Sequence, residues 1–403
     1  MLFSRLLLSL SPLIALSSSQ PIGKRDGTIT SESAYSSALG TTWSNFWNPA
    51  QNAWNLNDQI CPGYGYSSPV VWNVAVASKV IIDSGNAQQI QLVVNDILQY
   101  QNSAGYFSAT TARDDDVYLD DDSQVMWVLI GAYQALGNQA YLTAAQTLMN
   151  NIMSQWNPTV GGVNEHVNAD YVASISTLEA ALAAVKLYEV SPNQDLVTFA
   201  ENCITWISKT LQDPNDHLIY DGIAPSTGQI NDGKLTYTVG VMISTLAYLN
   251  KITGQSSYID QAIVLGNAAT NAQGAFYTPQ GFWNNELQYV EFLFAGFADL
   301  LNIGTATTST QQAAFSSYTT EVYQQATYLF NFFQVGTSGA YVDDVFTASQ
   351  DIFTKYTTAF PNSGTFATDA SNFCGGTLGG TVQTSLLTQA SATEIFYQLS
   401  RIT

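Results

Sequence analysis

A chain of 403 residues with 46% hydrophobic and 12% aromatic content is long enough to bury one large core or two ordinary ones. Its 11 Lys and Arg stand against 31 Asp and Glu, a formal charge of −20 and a pI near 4.1. Such a surface repels phosphate backbones and anionic lipid, which argues against nucleic-acid and membrane partners and for a neutral ligand.

The chain opens with Arg5, the apolar run "LLLSLSPLIAL" and small residues at 17–19, the pattern of a secretory signal over residues 1–19. A short pro-segment, residues 20–25, ends in the dibasic pair Lys24-Arg25, so the working domain is expected to be 26–403, secreted and extracellular. No apolar tail follows "LSRIT", so no C-terminal anchor is expected.

Helical periodicity then recurs along the chain, over roughly 32–47, 68–84, 87–101, 121–136, 139–155, 168–190, 193–211, 234–253, 256–272, 286–303, 313–335 and 382–400. No alternating strand pattern stands out. Tight turns such as "DSGNAQ", "LGNQA", "VSPNQ" and "ITGQSS" join one helix to the next, and long loops rich in Gly, Asn, Asp and aromatics follow every other helix. Helices joined by tight turns form antiparallel hairpins. Six such hairpins with their long loops at one end predict an all-α fold, a single-domain (α/α)6 barrel. Of the three cysteines, Cys203 lies in a helical stretch and is expected to be a buried thiol; Cys61 and Cys374 lie in turn-rich loops and are expected to form a disulfide.

The segment "DDDVYLDDDSQVMW", 114–127, places six aspartates within nine positions at the start of the fourth helix. Aspartates there can cap free N–H groups and are favoured by the helix dipole, but capping needs one or two. Calcium could use the excess, yet the stretch lacks the glycine-bearing loop and distal Glu of a calcium motif, so no metal or other cofactor is assigned. Glycoside hydrolysis needs two carboxyls at the scissile bond, one ionised and one protonated, and neighbouring carboxylates push one proton affinity upward.

The segment "YLDDDSQVMWVLIGAYQALGNQAYLTAAQTLMNNI" resembles glycoside hydrolase family 76, the endo-α-1,6-mannanases, in which a Tyr-x-Asp-Asp sequence opens an inner helix. "HLIYDGI" (217–223), "LTYTVGVMISTLAYLNKITGQSSYIDQA" (235–262), "EFLFAGFADLL" (291–301) and "QTSLLTQASATEIFYQL" continue the resemblance in the family's order. The resemblance implies an (α/α)6 barrel and a retaining mechanism, with Asp120 as nucleophile, Asp121 as general acid/base and Asp122 as a third neighbour. Where family members carry two tryptophans after the pair, this chain has Gln124 and Val125, and where they carry "YNQG" it has Tyr237-Thr238-Val239-Gly240, so sugar recognition is expected to differ.

Candidates for substrate contact are Asp122, Tyr118, Tyr66, Tyr237, Asp221, Asp232 and Trp283, with Tyr64, Tyr220, Phe282 and Trp127 as further aromatic platforms. The expected activity is a secreted, monomeric fungal hydrolase of α-1,6-mannan or a related neutral polysaccharide. A cell-wall glycan transglycosylase of the same family and a catalytically inactive carbohydrate-binding protein are the alternatives.

Overall fold

The computed structural model describes residues 31–402, so the expected signal and dibasic site lie outside the described residues. Six helices form an inner ring: α2 (Val71–Ser84), α4 (Leu119–Leu136), α6 (Ser174–Val190), α8 (Thr236–Thr253), α10 (Leu287–Ile303) and α13 (Leu386–Ser400). Each packs on the next and α13 packs back on α2, closing the ring. Helices α6 and α8 bury nearly every face, as elements with neighbours on all sides must.

Outside the ring run α3 (Ala87–Ile97), α5 (Gln139–Ser154), α7 (Gln194–Thr210), α9 (Ser257–Ala269) and α11 (Ser309–Phe332), each following its inner partner, while α1 (Ser31–Phe46) packs on α13 and completes the sixth pair from the other end of the chain. The expected (α/α)6 barrel is therefore the fold.

The hairpin turns are made by residue chemistry that is plain in the sequence. Helix α4 ends on Gly137, at φ 68°, a left-handed position that a side chain would strain. Asn138 follows and accepts the Ala140 N–H at 3.1 Å to start α5. Gly85 and Asn86 repeat this between α2 and α3. Glycine serves a different purpose where α8 crosses α10: a Cβ on Gly240 would collide with the Phe292 carbonyl, so only glycine lets the two backbones approach so closely.

Several bounds differ from expectation. The helix expected from 168 begins at Ser174, because Val172 and Ala173 form strand β3, paired antiparallel with β4 (Gly222–Ala224), which pairs with β5 (Gln229–Asn231). A second ribbon joins β1 (Trp47–Asn48) to β2 (Ala53–Trp54). These strands are two or three residues long, too short to leave an alternating pattern. An unexpected helix, α12 (Gln350–Ala359), is capped by Ser349 and buries only Ile352 and Tyr356, too narrow a stripe to show as periodicity in a Thr-rich segment.

All inner helices start at one mouth, and the long loops gather there. Cys61 and Cys374 form the expected disulfide, and Cys203 is a buried free thiol. The bridge joins the loop before α2 to the loop before α13, beside a second tie in which Asp58 accepts from the backbone N–H and the hydroxyl of Thr384 at 3.0 and 3.1 Å. Replacing both bridging cysteines by serine should lower stability by about 2–5 kcal/mol, read from urea unfolding with the helical signal retained in water. An unchanged unfolding midpoint would show that the Asp58 tie alone closes the ring.

Candidate active site

The aspartate cluster enters the mouth on the first turn of α4. The N-cap is Tyr118, whose side chain makes no cap hydrogen bond, so the three carboxyls fall inside the helix rather than before it. Asp120 and Asp121 are half-buried at the mouth, whereas Asp122 is fully buried and accepts the Phe107 N–H at 3.0 Å.

Burial raises the proton affinity of all three, with different neighbours acting on each. Asp120 is pushed up to about 6 by burial, and the backbone N–H groups of Asp120 and Asp121 restrain the rise. Asp121 lies well above the ordinary carboxylate range, first through burial, then through the charges of Asp120 and Asp116. Asp122 is raised by burial, against the Phe107 N–H, with Asp121 and Asp120 adding to it. Backbone N–H groups at the helix end thus act to lower the proton affinity of Asp120, while neighbouring charges act to raise that of Asp121.

The loops bring further groups. Leu119 N–H donates to the Glu165 carbonyl at 2.9 Å, fixing the 163–167 strip against the entry to α4. Glu165 is half-buried, and burial, then Asp120 and Asp221, raise its proton affinity. Asp221 accepts from the Tyr171 hydroxyl at 2.6 Å and from Asn231 Nδ2 at 2.8 Å, which orients it toward the same mouth on the β3–β4–β5 sheet. Tyr237 on the first turn of α8 lies with its ring 5.2 Å from that of Tyr289; burial raises its phenol, with Asp221, Asp120 and Glu179 around it. Tyr118 is exposed, edge-on to the His166 ring at 4.8 Å, and His166 Nε2 lies 3.3 Å from Asp116.

Of the residues expected from sequence, the structure brings Asp120, Asp121, Asp122, Tyr118, Tyr237 and Asp221 together. Asp232 is exposed just beyond β5. Tyr64 donors and acceptors serve the disulfide loop instead, its hydroxyl taking the Gly375 N–H at 2.8 Å, and Tyr66 is exposed in the same segment. Trp283 and Phe282 are buried rather than presented to a ligand: Trp283 lies edge-on against Phe294 at 5.2 Å, and Phe282 stacks on Tyr328 at 3.4 Å, because the 270–286 loop folds its aromatics down onto α10 and α11. Trp127 is likewise core, and Tyr220 lies under Lys234 at 5.1 Å.

Glu165, Tyr171 and Glu179 were not expected. Of the outlying aspartates, Asp116 acts on Asp121, while Asp114 and Asp115 shape their loop: Asp114 accepts the Asp116 N–H at 3.2 Å and Asp115 accepts from Asn168 at 3.2 Å.

A cavity of about 480 Å³ opens at the opposite end of the barrel, where the inner helices finish, lined among others by Lys79, Asp83, Lys186, Tyr248, Asp299 and Arg401. None of the paired aspartates touches it. Arg401 pairs with Asp299 at 2.7 Å and Lys186 lies 5.3 Å from the Tyr248 ring, an arrangement that sets cations against converging helix C-termini.

A closed ring of six helical hairpins with adjacent carboxyls at one mouth defines a six-hairpin glycosidase. The sequence pattern of glycosyl hydrolase family 76 matches residues 30–336, and the chain belongs to that family. The α-1,6-mannanase GH76A of Salegentibacter sp. HEL1_6 has the same fold, with a TM-score of 0.70 and 17% identity over 93% of this chain and 100% of that one. Its complex with α-1,6-mannotriose was obtained with a variant inactivated at two adjacent aspartates. Dfg5 of Chaetomium thermophilum in complex with glucosamine matches with a TM-score of 0.65 and 12% identity over 95% of this chain and 92% of that one. In sequence, the meiotically up-regulated gene 191 protein of Schizosaccharomyces pombe is 28% identical over 206 residues, covering 45% of this chain and 46% of that protein, so the match spans about half of each.

Proposed function

We propose that the protein is a secreted fungal glycoside hydrolase that cleaves α-1,6-mannosidic linkages with retention, Asp120 acting as nucleophile and Asp121 as general acid/base. The supporting observation is the pair itself: two carboxyls side by side at the mouth, with backbone N–H groups restraining the proton affinity of Asp120 and the charges of Asp120 and Asp116 adding to that of Asp121. In the first step Asp121 protonates the glycosidic oxygen as that bond breaks, and an Asp120 oxygen bonds to the anomeric carbon. In the second, Asp121 takes a proton from water, whose oxygen displaces Asp120 and restores the starting configuration. Tyr237, Asp221 and Tyr118 are placed to hold sugar hydroxyls and a ring face.

Incubating the protein with linear α-1,6-mannan and with α-1,2- and α-1,3-linked mannans, with mass detection of products, tests the reading: shortened α-1,6 oligosaccharides are expected, and release only from the other linkages overturns it. A second reading is glycan transfer in the cell wall, since a glycosyl-enzyme can pass its sugar to another sugar hydroxyl as well as to water. An added acceptor sugar appearing in the products in place of water would favour it.

The pH profile carries a specific expectation. The Asp116 charge raises the proton affinity of Asp121, so Asp116→Asn lowers it and the alkaline limb of the rate profile should move to lower pH. The acidic limb, set by ionisation of Asp120, should stay in place. Movement of the acidic limb alone would reverse the assigned roles.

A further inference from the structure

Beneath the aspartates one more carboxyl lies on the barrel axis. Glu179 projects from α6, 1% exposed, and its Oε1 accepts from Gln124 Nε2 at 3.2 Å. Gln124 stands one helical turn below Asp120 on α4, so the amide links the two levels. Glu179 Oε2 and Asp120 Oδ1 are both buried oxygens without a hydrogen-bond partner.

The charged and titratable groups facing Glu179 come from three neighbouring elements: Asp120 and Asp121 from α4, Tyr237 from α8 and Lys79 from α2. Lys79 is the sole cation among them and is already shared by Glu291 at 3.4 Å and Glu394 at 3.5 Å. An ionised Glu179 would therefore be a buried anion beside two aspartates with a single neutral donor, an arrangement strongly disfavoured. A neutral acid instead carries a hydrogen on Oε2 and turns an orphaned acceptor into a donor.

We propose that Glu179 is a positioning residue, held as a neutral carboxylic acid, whose O–H is the donor on the buried side of Asp120. Burial first, then Asp120 and Asp121, raise its proton affinity well above the ordinary range, in keeping with this. The role follows from Asp120 having to ionise without help from a nearby free cation. A neutral acid below it adds no repulsion and offers a hydrogen bond, the use to which a buried protonated carboxyl is suited. The inference rests on the proposed hydrolase reading for its kinetic consequence, but not for the protonation state.

Two variants and one spectroscopic measurement test it. Glu179→Gln keeps size, neutrality and an N–H donor, so kcat should fall by no more than about threefold and both limbs of the pH profile should stay in place. Glu179→Leu removes the donor; kcat should fall about 10- to 100-fold with KM little changed, and the acidic limb should move to higher pH as Asp120 loses a stabilising hydrogen bond. The infrared difference between the wild-type protein and Glu179→Gln should contain a protonated-carboxyl band that persists at pH 7, whether or not mannan is the substrate. Absence of that band, or an alkaline limb shifted to lower pH in Glu179→Gln as loss of a negative charge would require, overturns the proposal. If the wild type cleaves no mannan but the band is present, the hydrolase reading fails and the protonation state of Glu179 stands.

Discussion

Asp120→Asn and Asp121→Asn should each abolish measurable turnover of α-1,6-mannan while leaving the helical signal and unfolding midpoint close to those of the wild type. Both positions lie in the first turn of α4, where asparagine is tolerated and its amide oxygen can still accept a hydrogen bond. Their kinetic signatures should differ. Without the Asp120 carboxylate no covalent intermediate forms, and a loss of about 10⁴-fold or more is expected on any substrate. Without the Asp121 proton the loss on mannan is about 10²- to 10⁴-fold, but an aryl mannoside whose leaving group needs no protonation should recover most of the first step. Recovery in Asp120→Asn instead would exchange the two roles. Full activity in both variants would reduce the cluster to a helix-end feature.

The largest expected effect on stability lies elsewhere, at Lys79. Its ammonium sits on the barrel axis within 3.5 Å of Glu291 and Glu394, both 1% exposed. Lys79→Met fits the volume but leaves two buried carboxyls without their cation, and a loss of about 3–5 kcal/mol is expected in urea unfolding at alkaline pH. The loss should depend on pH in a defined direction. Burial pushes Glu291 up to about 7, with Lys79 opposing the rise and Glu394 adding to it, so removing Lys79 raises it further. A carboxyl bound more tightly to its proton in the folded state contributes stability at low pH and loses it as pH rises from the unfolded value through the folded one. The part of the Lys79→Met deficit carried by Glu291 should therefore be absent at low pH, open as pH rises past about 7, where the wild-type carboxyl ionises, and be complete only above the variant's higher value. A deficit independent of pH would point to lost packing against Trp127 and Phe292 rather than lost charge.

How far the sequence could be read follows from how local each feature is. The hairpin turns were legible because Gly137-Asn138 and Gly85-Asn86 act on their own neighbours, ending one helix and capping the next. The aspartate cluster stood out because six like charges within nine positions exceed what helix capping needs, while the choice of Asp120 and Asp121 within it came from the family resemblance. The disulfide was legible from loop placement, although its partners lie 313 residues apart. Glu165 meets Tyr171 within one loop, its N–H on the Tyr171 carbonyl at 3.0 Å, but Asp221 joins them only through the β3–β4–β5 sheet, whose strands leave no pattern, so that meeting could not be read from either segment alone. Trp283 was misplaced because an aromatic side chain serves equally as a sugar platform and as core, and only packing decides between them. One signal was present and went unread: Lys79, Glu179, Glu291 and Glu394 each interrupt an otherwise apolar run, one on each of four inner helices. A lone charge on a helix apolar all round has no solvent to face, and in a closed ring it must meet the others on the axis.

The measurement that bears most directly on the proposed chemistry is time-resolved proton NMR of the wild-type protein acting on linear α-1,6-mannan, following the anomeric signals before mutarotation. The Asp120–Asp121 mechanism predicts new reducing ends that appear first as the α anomer, with the β anomer growing in later as equilibrium is approached. New reducing ends appearing first as the β anomer would mean single displacement by water and would contradict Asp120 as a covalent nucleophile.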